Sequence, residues 1–257
     1  MTFTYFKNFT VYLFVTLALL NSTIGSSTDL IDTAKAVKPS VVAIGTLLKT
    51  RSPPVVFSGT GFVVGNGTSI VTNSHVIKPL LTENESYIVA AGQGNNYQIR
   101  EAKIIANDDA HDLALIKING APLPALIIGD STQAQEGQSL AFTGYPLVMA
   151  LGLYAATHRA TLAAIVPIAQ PTPTSRQLNA AIINRVRSGT FTIFQLDGTA
   201  YPGNSGSPLY DEKSGEVLGI VNKVFVKGTK ESAITNPSGI SYAIPSQYIK
   251  SLLDKNN

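Results

Sequence analysis

The stretch that decides the fold of this chain is Tyr201-Pro202-Gly203-Asn204-Ser205-Gly206-Ser207-Pro208-Leu209. It places a serine in a tight turn between two glycines, and the apolar run Val217-Leu218-Gly219-Ile220-Val221 follows soon after. A glycine at position 203 lets the backbone come close to a bound carbonyl group, so the turn exposes one hydroxyl on a bend. Turns of this composition also occur in β-proteins without a catalytic serine, so the meaning of Ser205 depends on its partners elsewhere in the chain.

A catalytic serine needs a general base, which is usually a histidine that a carboxylate holds in one tautomer. The chain contains three histidines, His75, His111 and His158. His75 directly follows the strand-like run 70–72, and a short turn there can hold the ring at the rim of a barrel. Because His111 and His158 lack that context, His75 is the predicted base.

Three aspartates are candidates for the carboxylate that orients the base. Asp112 opens the apolar run Leu113-Ala114-Leu115-Ile116-Lys117-Ile118, and an acid at the mouth of a strand can be half-buried and firmly held. Asp108 and Asp109 lie in the loop before it, where we expect more solvent. Asp112 is therefore the predicted orienting acid, with Asp108 and Asp109 as alternatives.

Length and composition favour a β-rich protein. The chain has 257 residues, which fits one large all-β domain or two small ones, and it contains 21 glycines and recurrent short runs of Val, Ile and Thr. Its 19 basic and 16 acidic side chains give a net charge of +3, which does not favour binding to nucleic acid or to a membrane surface. No cofactor and no metal site is predicted, because there is no cysteine and no paired-histidine motif.

The pattern of short runs predicts two groups of strands. The first group has about six strands, which would form a barrel or a sandwich, with a hairpin around Gly65-Asn66-Gly67. The stretch 119–124 reads as the linker to the second group. Strands of the second group are predicted at 139–144, 157–166, 189–197, 217–225 and 240–243. A short helix is predicted at 29–38, and a terminal helix capped by Ser246 at 246–253. The predicted domains are 26–120 and 121–257.

The first residues resemble a targeting segment. Lys7 is followed by the apolar run 11–20 and by a small polar stretch that offers a cleavage site after Gly25. This layout is typical of a secretory signal peptide over residues 1–25, and the apolar run is short for a membrane span, although an uncleaved anchor is the alternative. Export without any cysteine favours a bacterial periplasmic or secreted protein, with no membrane association after the signal is removed.

Three blocks of the sequence resemble the chymotrypsin-like serine proteases, in the bacterial branch that contains the HtrA (DegP-like) proteases. The blocks run in the order His, Asp, Ser that the family shows, and 239–245 resembles the strand that ends the HtrA protease domain. They are Gly59-Thr60-Gly61-Phe62-Val63-Val64 running on to Thr72-Asn73-Ser74-His75-Val76, then Asp112-Leu113-Ala114-Leu115-Ile116-Lys117-Ile118, then Pro202-Gly203-Asn204-Ser205-Gly206-Ser207-Pro208-Leu209.

The resemblance implies two packed six-stranded β-barrels with the active site in the cleft between them. On that basis His75 is the general base, Asp112 orients it, and Ser205 attacks the scissile carbonyl of a polypeptide substrate to form an acyl-enzyme. The N–H groups of Gly203 and Ser205 would form the oxyanion hole. The primary substrate pocket would include the neutral Thr199 and a wall formed by 221–225, so we expect it to prefer apolar substrate side chains. The residues predicted to line it are Thr199, Val221, Asn222, Lys223 and Val224.

The sequence departs from the family pattern at two positions of the turn. Asn204 stands where the digestive enzymes carry an aspartate that pairs with a new amino terminus, so we expect no such activation. Ser207 stands where most of these proteases have a second glycine. We also expect no PDZ domain after the barrels, and therefore no PDZ-dependent regulation. The alternative function is a catalytically silent, protease-fold module that binds peptides or partners.

The Pro167–Ser188 segment is interpreted either as a solvated surface loop or as a mobile loop beside the active site. The sequence does not predict an oligomeric state.

Overall fold

The computed structural model describes residues 29–77, 81–168, 191–222 and 239–256. The predicted signal peptide, nearly all of the Pro167–Ser188 segment, and Lys223 and Val224 lie outside these residues. Within them, no helix is long and apolar enough to cross a membrane.

The first half of the chain forms a closed antiparallel barrel of six strands. Around the barrel the strands follow the order β1-β2-β3-β6-β5-β4. The strands are β1 (Val41–Leu47), β2 (Val55–Val64), β3 (Ser69–Thr72), β4 (Ser86–Gln93), β5 (Asn96–Asp108) and β6 (Leu113–Ile118). The predicted six strands are confirmed, including the hairpin of β2 and β3, in which Val64 pairs with Ser69.

The second half forms another closed antiparallel barrel, with the order β10-β11-β12-β9-β8-β7. Its strands are β7 (Ser139–Gly144), β8 (Ala156–Ile168), β9 (Phe191–Asp197), β10 (Pro208–Asp211), β11 (Val217–Asn222) and β12 (Ile240–Pro245). Five of them correspond to predicted strands. The sixth, β10, was not predicted as a strand, because its four residues directly follow the serine turn and are too few to show a period-2 pattern.

Two apolar clusters contain residues of both barrels and join them. Residues alternate between the two faces of a strand, and in β1 both faces are buried. Val42 and Ile44 point into the first barrel, whereas Val41 and Ala43 pack with residues of the second half, including Tyr145 and Tyr210. The prediction of two packed six-stranded barrels is confirmed, and the packing holds the edges of the cleft in a fixed relation.

Three α-helices lie in the described residues: α1 (Leu30–Val37), α2 (Val148–Leu151) and α3 (Ser246–Asp254). α1 is predicted from its helical spacing and α3 as a terminal helix with a start signal at Ser246, whereas α2 is not predicted. The predicted capping of α3 by Ser246 is wrong. The helix begins at Ser246 itself, whose side chain accepts no capping hydrogen bond from the first turn. Its buried hydroxyl instead donates to the carbonyl of Gly129 at 2.9 Å, a contact with a residue 117 positions away in the chain.

Candidate active site

His75 and Asp112 form a close pair at the mouth of the first barrel. His75 Nδ1 lies 2.6 Å from Asp112 Oδ2, and the backbone N–H of His75 donates to Asp112 Oδ1 at 2.8 Å. Both side chains are partly covered, at 34% and 22% exposure. A carboxylate acceptor at Nδ1 favours the tautomer with hydrogen on Nδ1, which leaves Nε2 free to accept a proton.

The backbone around Asp112 is held by the turn that carries His75. His75 lies in a short 3-10 turn after β3, and Asp112 lies directly before β6, the strand that pairs with β3. The Asp112 carbonyl accepts from the Asn73 side-chain amide at 3.0 Å and from the Ser74 N–H at 3.1 Å. Asp112 itself has a left-handed φ of 51°, which is unusual for a residue other than glycine. The loop therefore holds the backbone from which this carboxylate extends.

The other two candidate aspartates have partners of their own. Asp108 Oδ2 lies 2.7 Å from His111 Nδ1, and Asp109 Oδ1 accepts from the Ser74 hydroxyl at 2.6 Å. Each of the three carboxylates therefore has a different partner, and Asp112 is the one that contacts His75.

The other two histidines, His111 and His158, stack on aromatic side chains. The His111 ring stacks on Tyr248 of α3, with ring centres 4.4 Å apart. His158 stacks on Phe142 at 4.9 Å, and burial lowers the pKa of its imidazole. Both rings link neighbouring elements of the fold.

The serine turn lies against the first barrel. The Ser205 carbonyl accepts from the Thr60 N–H at 2.9 Å, and Ser205 is 5% exposed. A Cβ atom at Gly59 would lie 2.7 Å from Val76 Cγ2 and 3.0 Å from the Ser205 carbonyl oxygen. Gly59 therefore lies between Ser205 and Val76, the residue next to His75, and brings the serine turn to the histidine turn.

The Pro202–Gly203 peptide is fixed in orientation. The Leu147 N–H donates to the Pro202 carbonyl at 2.7 Å, and Gly203 has a left-handed φ of 101° with its Cα packed against the Tyr145 carbonyl. In a trans peptide the next N–H points opposite to the carbonyl, so the Gly203 N–H is directed away from Leu147. Neither this N–H nor that of Ser205 donates to another group in the part of the chain that the structure describes.

The two unusual residues of the turn are buried beneath it. Asn204 and Ser207 are both fully buried. A Cβ atom at Gly144 would overlap the Ser207 hydroxyl and lie 3.0 Å from Asn204 Oδ1. The Ser207 side chain therefore fills the space over Gly144. A serine is accommodated at position 207, where most proteases of the family have a glycine.

Asn222, predicted as a wall of the primary pocket, directs its side-chain amide to Asp112. Its Nδ2 donates to Asp112 Oδ2 at 2.9 Å, and the residue is 6% exposed. Sequence reasoning did not find this contact, because the two residues are 110 positions apart and belong to different barrels.

Thr199 lies in the 198–200 segment, which Ser241 of β12 holds through hydrogen bonds to Gly198 and Ala200.

No group of three or more acidic, histidine or cysteine side chains that could hold a metal ion is found in residues 29–77, 81–168, 191–222 and 239–256.

Comparison with known protein families shows which family the chain belongs to. The family described as trypsin-like peptidase domain matches residues 59–220, which include His75, Asp112 and Ser205. The chain belongs to this family. The predicted class, a serine protease, and the predicted resemblance to HtrA-type proteases are confirmed.

Curated relatives of this trypsin-like peptidase are serine proteases of greater length. A probable periplasmic DegP-like serine endoprotease of Chlamydia trachomatis is 33% identical over 198 residues, which are 77% of this chain and 33% of the relative. The human serine protease HTRA4 is 31% identical over 84% of this chain and 39% of its own length. The chain thus spans a third or somewhat more of the relatives it matches.

Solved structures share the fold of this trypsin-like peptidase. The active form of the Rv3671c protease of M. tuberculosis superposes with a TM-score of 0.64, at 23% identity, over 88% of this chain and 84% of that one. An HtrA-type protease with a bound tripeptide gives a TM-score of 0.62, at 21% identity, over 88% of this chain and 63% of that one.

Proposed function

We propose that this trypsin-like peptidase is an exported serine endopeptidase in which His75, Asp112 and Ser205 act as one catalytic unit. The observation that carries the proposal is the contact of 2.6 Å between His75 Nδ1 and Asp112 Oδ2, beside a serine turn that is bonded to the same barrel. The fold alone would fit an active enzyme and a catalytically silent binding module equally. An imidazole hydrogen-bonded to a carboxylate, as in His75 and Asp112, is the arrangement that activates a serine.

In the proposed reaction the Ser205 hydroxyl attacks the carbonyl carbon of the scissile peptide bond while Nε2 of His75 takes its proton. Asp112 stabilises the imidazolium ion that results. The imidazolium then gives the proton to the leaving amine as the C–N bond breaks, which leaves the acyl group on Ser205. Water attacks the ester by the same route, with His75 again as base, and the carboxylic acid product departs.

The N–H groups of Gly203 and Ser205 are the proposed oxyanion hole. Both remain available for a substrate oxygen, and Gly203 is held by the Leu147–Pro202 bond. Donors in this position stabilise the charge that develops on the carbonyl oxygen, and losing one costs about a hundred- to a thousand-fold in rate.

The proposed substrates are polypeptides, with a degradative or quality-control role in the cell envelope or outside the cell. The names of several relatives, which are called periplasmic endoproteases, support export, as does the leader-like sequence at 1–25. We propose that this leader is removed before residues 26–120 and 121–257 form the two barrel domains. Amino-terminal sequencing of the exported protein tests this, and a terminus at Met1 contradicts it.

Labelling with a fluorophosphonate probe tests the enzyme proposal. We expect the parent protein to be labelled and the Ser205→Ala variant to remain unlabelled. Ser207→Ala is the matched control, because it removes a hydroxyl two residues away that is buried over Gly144, and it should keep the label. Absence of labelling in a folded parent protein contradicts the proposal and favours a silent binding module.

A further inference from the structure

His158 lies inside the second barrel with one ring nitrogen unused. It pairs directly with Phe142 across β7 and β8, and the side chains of directly paired residues lie on the same face of a sheet. Phe142 belongs to the apolar interior of the second barrel, so His158 also points inward. Its Nε2 atom is buried and forms no hydrogen bond with any residue that the structure describes. Because a buried polar atom without a partner is costly, this nitrogen favours a ligand that bonds to it.

The ring lies at the end of the barrel that faces the serine turn. β7 ends at Gly144, which Ser207 covers, and Gly144 pairs with Ala156 of β8. His158 is two residues further along β8, which places it roughly 7 Å deeper in the barrel than that pair. On its other side the His158 ring centre is 6.1 Å from that of Tyr201, the first residue of the serine stretch. The imidazole therefore lies in the barrel interior beneath the turn.

Residues of the predicted primary pocket meet the same interior. Val221, a predicted wall of the pocket, packs in one apolar cluster with Phe142, and Ala200, the neighbour of Thr199, packs against this cluster. His158 is half-buried and not fully covered. A long substrate side chain that enters between Thr199 and Val221 is therefore directed towards the imidazole.

The surroundings of His158 favour an uncharged partner. Burial lowers the pKa of its imidazole, and the rings of Phe142 and Tyr201 lie beside it. The charged neighbour Arg159 pairs with Glu212, and alternation along β8 directs it to the opposite face. A neutral imidazole donates from one nitrogen and accepts at the other, so the partner of Nε2 must suit either role. A carboxamide both donates and accepts, whereas a carboxylate only accepts.

We propose that His158 selects glutamine as the substrate residue before the cleaved bond, through a hydrogen bond between Nε2 and the side-chain carboxamide. This inference rests on the proposed function and replaces the expected preference for apolar side chains. Methionine has a similar length but leaves Nε2 without a partner, and glutamate brings an unpaired charge into the barrel. His158 is thus a specificity-determining residue and takes no part in the chemical steps.

Three sets of peptides that differ only at the residue before the cleaved bond test the role of His158. That residue is glutamine, methionine or glutamate, and the flanking positions carry a mixture of residues. Cleavage by the full chain is followed by release of a quenched fluorophore. The test variant is His158→Phe, which keeps a ring against Phe142 and removes both ring nitrogens. The control is His111→Phe, the same change at the histidine that stacks on Tyr248.

We expect the parent protein to cleave the glutamine peptides with a kcat/KM about five- to ten-fold above that for the methionine peptides, and to cleave the glutamate peptides least. The glutamine preference should disappear in His158→Phe and persist in His111→Phe. Equal cleavage of glutamine and methionine peptides by an active parent overturns the inference and leaves the proposed function intact. A preference for glutamate, or a glutamine preference that survives in His158→Phe, does the same.

A binding measurement separates this inference from the proposed function. The same peptides are titrated against Ser205→Ala, with and without His158→Phe, and followed by fluorescence anisotropy. If the folded parent protein is neither labelled by the fluorophosphonate probe nor able to cleave any peptide, the proposed function fails. Tighter binding of the glutamine peptides that depends on His158 still supports the site in that case. Equal binding of glutamine and methionine peptides to Ser205→Ala overturns it, whether or not cleavage is observed.

Discussion

Asn222 donates its side-chain amide to Oδ2 of Asp112 at 2.9 Å, the same carboxylate oxygen that lies 2.6 Å from His75 Nδ1. Asn222 ends β11 in the second barrel, whereas Asp112 directly precedes β6 in the first. The carboxylate is therefore held from both sides of the cleft, so its orientation depends on the packing of the two barrels.

Replacing Asn222 with alanine should slow catalysis without unfolding the protein. A hydrogen bond to a charged group contributes about 1.5–3 kcal/mol, so we expect kcat/KM to fall roughly ten- to a hundred-fold. The matched control is Asn107→Ala, which removes a similar bond of 3.0 Å to Asp109. Equal loss in both variants, measured with one peptide substrate, would contradict a specific role for Asn222.

Asp112→Asn should cost about ten-thousand-fold in kcat, because an amide at this position favours the wrong imidazole tautomer. Asp108→Asn is the control, since it changes the acid that contacts His111 at 2.7 Å and leaves His75 untouched. We expect the control to stay within a few-fold of the parent. Steady-state kinetics decide the question, and a larger loss at Asp108 would reassign the orienting acid.

Gly144→Ala should destabilise the fold, because its new methyl group would overlap the Ser207 hydroxyl beneath the serine turn. Overpacking of this kind typically costs about 1–3 kcal/mol in the free energy of unfolding. Adding Ser207→Gly removes the overlapping atom and should recover part of that loss. Urea unfolding of the parent, both single variants and the double variant measures the coupling between the two positions. Additive changes would show that the two side chains do not compete for this space.

Stability should fall on acidification in a way that depends on Glu85. A hydrogen bond from Thr46, supported by Thr82 and Arg51, lowers the pKa of the Glu85 carboxyl from 4.5 to about 2. Because the folded-state pKa is below the unfolded one, the stabilisation is present above pH 4.5 and is lost as the pH falls towards 2.

Thermal unfolding of Glu85→Gln tests this between those two pH values. The variant should have a flatter pH dependence than the parent and a lower melting temperature at neutral pH. Glu83→Gln is the control, because Glu83 is exposed and forms no ion pair with any residue that the structure describes. An unchanged pH profile in Glu85→Gln would exclude Glu85 as a source of the acid sensitivity.

The parts of the fold that were predicted are those with a local signal. Runs such as Val41–Leu47 and Leu113–Ile118 are long enough to be read as strands. β10 and α2 have only four residues each, and their conformations follow from neighbours that the local sequence does not show. The role of Ser246 was misread for a similar reason, since its hydroxyl donates to the carbonyl of Gly129, a partner that the local sequence does not show.

The amino-acid sequence by itself determined the strand-rich architecture and the order of His75, Asp112 and Ser205, because each lies at the end of a recognisable run or turn. Tertiary structure decided between the predicted Asp112 and its alternatives Asp108 and Asp109, because each of the three carboxylates contacts a different partner and only the fold brings those partners close. It also decided that Asn222 holds Asp112, and that Ser207 packs over Gly144 beneath Ser205. These contacts join residues that are distant in the chain, and they exist only once the two barrels have packed together.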